Sequence, residues 1–251
     1  MKSALTLIKV EKKYKTRKQE NVIISNLSLT IDQGDFIAVM GPSGSGKTTF
    51  LNIASGIDSV DDGVVKIFGI DITKMPSADL ANFRKYNTGI VFQDFNLIDS
   101  LNVEENIILP LDLSLLDESE LEMLVDQKTS ILGINRLTDR EIYELSGGEQ
   151  QRVAICRAII NTPKILFADE PTGNLDSKST KSVMKYLSKV NTEEKCTVVM
   201  VTHDAFAASY SNKVLFFRDG QIVKQLKKEG DQGHFHKRLL QEQEVFSESF
   251  D

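Results

Sequence analysis

Apolar positions fall into two textures that interleave along this 251-residue chain: short continuous or alternating runs, and stretches with helical spacing. Runs at residues 5–10, 36–40, 64–68, 90–92, 165–168, 197–201 and 214–217 predict strands. The last is followed by Asp219-Gly220, a hairpin signal that pairs it with residues 221–224. Strands separated by helical segments predict an α/β fold, with a parallel or mixed sheet covered by helices and an antiparallel β region.

Between Asp94 and Asn161 the texture turns helical. Here Ser119 and Glu122 read as a capping box, and Leu121, Leu124, Val125, Ile131 and Leu132 recur at helical spacing until Gly133 stops the run. The organisation expected is a core made of residues 1–93 and 162–228, a helical insert at 94–161 and a C-terminal extension at 229–251. In the extension, His234, Phe235, His236, Lys237, Arg238, Leu239 and Leu240 predict a short amphipathic helix, packed on the core or on a partner. Histidines two apart with no third ligand make a poor metal site.

Composition narrows the class. A net charge of -6 and a pI near 5.3 argue against nucleic-acid binding, which needs a clustered basic face, and against direct adhesion to an acidic membrane. No apolar run approaches the roughly 18 residues that cross a bilayer, and no charged-then-apolar leader opens the chain. A soluble, unsecreted protein is expected. Cys156 and Cys196 lack CxxC spacing and read as packed thiols of a reducing cytoplasm.

The first chemical motif is Gly41-Pro42-Ser43-Gly44-Ser45-Gly46-Lys47-Thr48, directly after the strand at 36–40. It satisfies GxxxxGK[ST] in the strand-loop-helix setting that phosphate binding needs. Backbone amides wrap phosphate oxygens, Lys47 reaches the terminal phosphates, and the Thr48 hydroxyl ligates Mg²⁺. The motif implies a nucleotide without choosing among kinases, GTPases and motor ATPases. A guanine-reading NKxD is absent at Asn212-Lys213-Val214-Leu215.

A second apolar strand ends in two carboxylates, Asp169 and Glu170. Asp169 is placed to hold Mg²⁺, and Glu170, one residue on, to act as general base on the attacking water. Gln93 and His203 also follow strands. Gln93 reads as a contact to Mg²⁺-bound water, and His203 as a donor to the γ-phosphate that orients the water or Glu170. Tyr14, amid Lys12, Lys13 and Lys15, is a candidate to stack on adenine, and Asp176 is either a nucleotide contact or a cap for the helix after it.

Residues 145–154, Leu-Ser-Gly-Gly-Glu-Gln-Gln-Arg-Val-Ala, are the most informative stretch. Ser146 and Glu149 form a capping box, so a helix begins there with free N–H groups and the positive end of its dipole exposed, an anion site. Gly147 and Gly148 lie in its first turn, where each costs about 1 kcal/mol relative to Ala. A phosphate pressed against the helix end would require their bare backbone.

The order Tyr14, the loop from Gly41 through Thr48 and Thr49, Gln93, the segment from Leu145 to Glu149, Asp169-Glu170, Asp176 and His203 resembles that of ABC (ATP-binding cassette) ATPases over nearly the whole chain. Gln93-Asp94-Phe95-Asn96-Leu97, Gly173-Asn174-Leu175-Asp176-Ser177 and Val201-Thr202-His203-Asp204-Ala205-Phe206-Ala207-Ala208-Ser209 are similar to the subgroup serving large-loop permeases, above all the bacitracin-export type. Glu149 stands where glutamine is commoner. The resemblance implies ATP and Mg²⁺ as ligands, with Thr48, Gln93 and Asp169 at the metal. It also implies a head-to-tail homodimer in which Ser146, Gly147, Gly148 and Glu149 meet the partner's nucleotide.

A separate membrane permease is implied at residues 93–98, through Phe95, Leu97 and Ile98, with a sensor histidine kinase reached through that permease. The place implied is the cytoplasmic side of the membrane. The favoured role is export of, or resistance to, antimicrobial peptides, the alternative a lipoprotein or macrolide exporter. ABC proteins of translation or DNA maintenance are the other class. A single phosphate loop and a short insert argue against them.

Overall fold

The computed structural model describes residues 2–15 and 20–248. The chain runs β1 (Ser3–Lys15), β2 (Glu20–Asp32), β3 (Phe36–Met40), α1 (Lys47–Ser55), β4 (Asp62–Ile67), β5 (Ile70–Asp71), α2 (Ser77–Asn87) and β6 (Thr88–Val91). It continues through α3 (Val103–Ile108), α4 (Glu118–Leu132), α5 (Gly147–Ile159), β7 (Ile165–Asp169), α6 (Ser177–Glu193) and β8 (Thr197–Val201). The last elements are α7 (Ala205–Ala208), β9 (Lys213–Arg218), β10 (Gln221–Lys227) and α8 (Gln232–Glu248).

Two sheets result. One is four-stranded and antiparallel, in the order β2-β1-β4-β5. The other is six-stranded, β10-β9-β3-β8-β7-β6, with parallel pairing from β9 to β6 and β10 added antiparallel through the Asp219-Gly220 turn. Every residue of β3 and β8 is buried, as strands covered on both faces require. Alternate side chains separate two cores. Phe36, Ala38, Met40, Leu166, Val198 and Met200 pack with α5, α6, α7 and α8. Ile37, Val39, Phe167, Val199 and Val201 pack with α1 and the first sheet.

The expected strands are all present. β2 and β5 were not expected. The alternation of Leu27, Leu29 and Ile31 carries the β2 signal, but Asn26, in the left-handed region at φ 49, sits at a register shift that breaks the pattern. β5 has only two residues, too few for periodicity.

In the insert, α4 is capped two residues earlier than the sequence suggests. Asp117 accepts from the Glu120 N–H at 2.8 Å while Glu120 reaches back to the Asp117 N–H at 3.1 Å. Ser119 lies within the first turn and donates its hydroxyl to Asp117. Gly133 ends the helix as expected. Lys128, 1% exposed, pairs with Glu194 just past the end of α6 and ties the insert to the core. Cys156 and Cys196 are free and buried, and burial pushes the Cys196 thiol up to about 12. The C-terminal extension forms α8, whose Phe235 and Leu239 are buried in the first core. No helix among the described residues is long and apolar enough to cross a membrane.

Candidate functional site

Parallel strands β3, β8, β7 and β6 lie side by side, so the segments leaving their carboxyl ends meet at one edge of the sheet, where open α/β sheets bind ligands. A cavity of about 620 Å³ opens there, lined by Tyr14, Ile23, Ser43, Gly44, Gly46, Lys47, Thr48, Thr49, Gln93, Glu170 and His203. Residues far apart in sequence thus share one space.

The loop at 41–48 wraps the cavity's closed end. Lys47 Nζ donates to the carbonyls of Gly41 at 3.0 Å and Pro42 at 2.8 Å, so the loop's own backbone holds the ammonium at the centre of the curve. Burial lowers the Lys47 pKa, opposed by the charges of Glu170 and Asp169. Gly41 is required by close approach. A Cβ there would lie 2.1 Å from the Phe217 carbonyl on β9. Among the described residues the buried Ser45 hydroxyl has no hydrogen-bond partner, which a bound anion would supply.

Thr48 Oγ1 donates to Asp169 Oδ1 at 3.3 Å, joining the first turn of α1 to the end of β7. Burial raises the Asp169 pKa and Glu170 adds to the rise, while Thr48 and Lys47 oppose it. A hydroxyl and a carboxylate side by side below a phosphate loop match the oxygen ligands of Mg²⁺. No cluster of three His, Cys, Asp or Glu among the described residues would cage a metal by itself. A cation here would draw its remaining ligands from phosphate and water.

Glu170 is turned away from Asp169 by its own backbone, in the left-handed region at φ 44. That conformation costs roughly 1–2 kcal/mol for a residue with a Cβ, and the bond from its N–H to the Val201 carbonyl, 2.9 Å, holds it. The carboxylate reaches His203, with Nδ1 2.9 Å from Oε1. Gln93 enters from β6 and touches the loop after β7: its Nε2 lies 3.5 Å from Asn174 Oδ1, and Asn174 Nδ2 donates to Asp94 Oδ1 at 3.2 Å. Asn174 stands in the motif Gly173-Asn174-Leu175-Asp176-Ser177, but nothing in that spacing marks its side chain as a contact of Gln93 and Asp94.

At the open end Tyr14 is held by its hydroxyl, which donates to Asp58 Oδ2 at 2.8 Å, and by Lys12, whose ammonium lies 5.0 Å from the ring centroid. Lys12 also donates to Asp58 Oδ1 at 2.8 Å and to the Ser59 carbonyl at 2.7 Å. Burial pushes the Asp58 pKa up, but hydrogen bonds from Lys12, Tyr14 and the Ser59 N–H, with the Lys12 charge, bring it below the ordinary value. Ile23 on β2 completes this end. Neither Ile23 nor Asp58 was legible as a site residue, because one sits on the unexpected strand and the other acts through Tyr14.

Ser146, Gly147, Gly148 and Glu149 do not line this cavity. The expected capping box is formed: the Ser146 N–H donates to Glu149 Oε2 at 2.9 Å and its hydroxyl to the same oxygen at 2.6 Å. Ser146 is exposed at the start of α5. Gly148 is buried, and a Cβ there would lie 2.8 Å from Ser179. Packing within the chain is therefore a second reason for that glycine, beside the bare backbone argued from sequence. Asp176 lies outside the cavity and caps α6, accepting from the N–H groups of Lys178 and Ser179 at 2.8 and 3.0 Å. Of the segment at 93–98, only Ile98 among its three apolar residues past Gln93 is exposed; Leu97 packs on the core and Phe95 is half-buried. Arg157 of α5 donates to the carbonyls of Phe95 and Asn96, both left-handed, at 2.9 and 2.7 Å.

Residues 24–173 match the family model described as ABC transporter. The bacitracin export ATP-binding protein BceA of Halalkalibacterium halodurans is 42% identical, covering 94% of each chain. The ABC transporter ATP-binding protein YxdL of Bacillus subtilis is 42% identical over 96% of this chain and 93% of its own. The macrolide export ATP-binding/permease protein MacB of Neisseria meningitidis is 42% identical over 80% of this chain, which spans 31% of MacB. Among solved structures, the dimeric post-hydrolysis state of the ATP-binding cassette MJ0796 bound to ADP and Pi superimposes with a TM-score of 0.82 at 37% identity, covering 90% of this chain and 99% of that one. The chain belongs to the ABC transporter family, as an ATP-binding and ATP-hydrolysing subunit.

Proposed function

We propose that this subunit works as a head-to-tail homodimer that drives a separate membrane permease, in a system for resistance to antimicrobial peptides of the bacitracin kind. The observation that carries the dimer is a division within the chain: the loop, carboxylates and histidine share one cavity, while the exposed helix end at Ser146 lies outside it. A helix N-terminus that contributes nothing to its own cavity is available to another subunit's phosphate.

Within the cavity, Lys47, the Ser45 hydroxyl and the loop amides hold the phosphates of ATP, and Tyr14 stacks on the base. Thr48 and Asp169 hold Mg²⁺, with Gln93 reaching its water shell. The cation, when bound, neutralises charge on the phosphates. Glu170 takes the proton of the attacking water at its carboxylate, and His203, bonded to that carboxylate, keeps it aimed. Asp176, through its cap on α6, holds the loop beside Gly148 at the subunit junction. ATP binding closes the pair and hydrolysis opens it, so the chemistry times the movement of a partner.

The permease meets the segment at 93–98, which Arg157 ties to the same helix α5 that starts at Ser146. The MacB relative supports a permease, since its name joins both functions in a chain of which this one spans 31%. That relative also supports a second reading, a macrolide or lipoprotein exporter. The place of action is the cytoplasmic face of the membrane, with a sensor histidine kinase engaged through the permease.

Glu170→Gln tests the clamp. It should bind ATP, lose most turnover and sediment as a dimer with ATP; a monomer at saturating ATP by light scattering refutes the shared site. Purification from membranes tests the partner. A polytopic protein with one large extracellular domain is the expected companion, and a ribosome would exclude transport.

A further inference from the structure

The segment that begins at His203 is held from behind by the C-terminal helix. Phe235 and Leu239 of α8 are fully buried in the core that also contains Ala205, Ala207 and Ala208 of α7. The His236 ring stands edge-on to Phe206, with centroids 5.7 Å apart and planes at 83°. At the far end of α7, Gln232 Nε2 donates to the Ser209 hydroxyl at 3.2 Å and Lys228 Nζ to the Ser209 carbonyl at 3.2 Å. At its near end, Gln243 Nε2 donates to the main-chain carbonyl of His203 at 3.2 Å. His236, Leu239 and Gln243 follow one another at the spacing of a single helix face. Glu242, beside Gln243, pairs with Lys224 of β10 and fixes the helix's rotation.

Beside the contacts His203 makes with Glu170, Gln243 is the residue of α8 that holds its main chain. The His203 side chain is 68% exposed, so packing does not fix the ring. The helix after it has only four residues, too short to be stable alone. Its peptide group is bracketed instead: the N–H faces Glu170 Oε2 at 3.4 Å, and the carbonyl accepts from Gln243.

We infer that Gln243 is a positioning residue for His203, and that α8 is a strut that sets the reach of His203 to Glu170 and thereby the rate of hydrolysis. The inference rests on the reading of His203 and Glu170 as the hydrolytic pair. It gives the C-terminal extension a role in turnover.

The whole 251-residue chain tests it. Gln243→Met keeps the side chain's length and removes its donor; kcat should fall about five-fold, the size expected for one lost hydrogen bond, with KM for ATP unchanged and Tm lowered by no more than about 4 °C. Gln243→Lys, which still donates, should restore most of the rate. A wild-type kcat in Gln243→Met, a loss that Gln243→Lys does not rescue, or a Tm fall well beyond about 4 °C overturns the strut. His203→Ala separates the two ideas, since normal turnover in that variant defeats the hydrolytic reading itself, and loss of turnover there with a silent Gln243→Met defeats only the strut.

Discussion

The two glycines at the start of α5 offer a way to separate packing from phosphate contact. An alanine Cβ at position 148 would lie 2.8 Å from both Cβ and Oγ of Ser179. Ser179 cannot yield, because its hydroxyl donates to Asp176 Oδ2 at 2.7 Å and its N–H to Oδ1 at 3.0 Å. Overpacking of this kind costs about 1–3 kcal/mol, against a helix-propensity gain of at most about 1 kcal/mol. Gly148→Ala should therefore destabilise the isolated chain by about 1–2 kcal/mol, a Tm loss of about 2–8 °C for a domain of this size. At position 147 the nearest atom to a new Cβ is Leu175 Cδ2 at 3.3 Å, the mobile end of a side chain. Gly147→Ala should leave Tm unchanged or raise it by about 2 °C, and still lose ATPase activity if the helix end receives a partner's phosphate. Calorimetry on the nucleotide-free protein and steady-state hydrolysis measure both. Equal destabilisation by the two variants would refute the packing argument, and full turnover in Gly147→Ala would refute the shared site.

Three further outcomes follow from the buried charges. Burial raises the folded-state pKa of Asp169, so its ionisation opposes folding as pH rises through that value; Asp169→Asn should raise Tm at neutral pH in the absence of nucleotide while abolishing Mg²⁺-dependent hydrolysis. Asp58 has the opposite sign: its pKa is lowered, so its stabilisation is present above the ordinary value of 3.8 and lost as pH falls through the folded value. Urea melts should show wild type exceeding Asp58→Asn at neutral pH and the gap closing in acid; a constant gap would exclude the Lys12 and Tyr14 contacts as its source. Lys128→Ala leaves Glu194 facing a dry junction and should cost about 3 kcal/mol by chemical denaturation, whereas Lys128→Met with Glu194→Leu should recover most of it.

Much of the site was visible because phosphate chemistry imposes local spacing. A loop that wraps an anion must be contiguous, so Gly41 to Thr48 announce themselves, as do two carboxylates ending an apolar strand and a capping box at Ser146. The parallel strands were legible for a similar reason, since burial on both faces leaves unbroken apolar runs such as 36–40 and 197–201. Asp58, Asn174 and Gln243 were not. Their partners at the site, Tyr14, Gln93 and His203, lie 44, 81 and 40 positions away, and such pairings leave no period in either segment.

By itself, then, the chain's sequence determined the α/β class, the phosphate loop, the acidic strand end and the helix start at Ser146, all of which depend on neighbours within a few residues. Only the tertiary structure decided how they combine. The order β3, β8, β7, β6 brings Lys47, His203, Glu170 and Gln93 to one edge. It also leaves Ser146 outside the cavity its own chain builds, and sets α8 behind His203. The physical reason is that strand order and helix docking follow from which apolar faces bury one another across the whole chain, a long-range choice that no local pattern encodes.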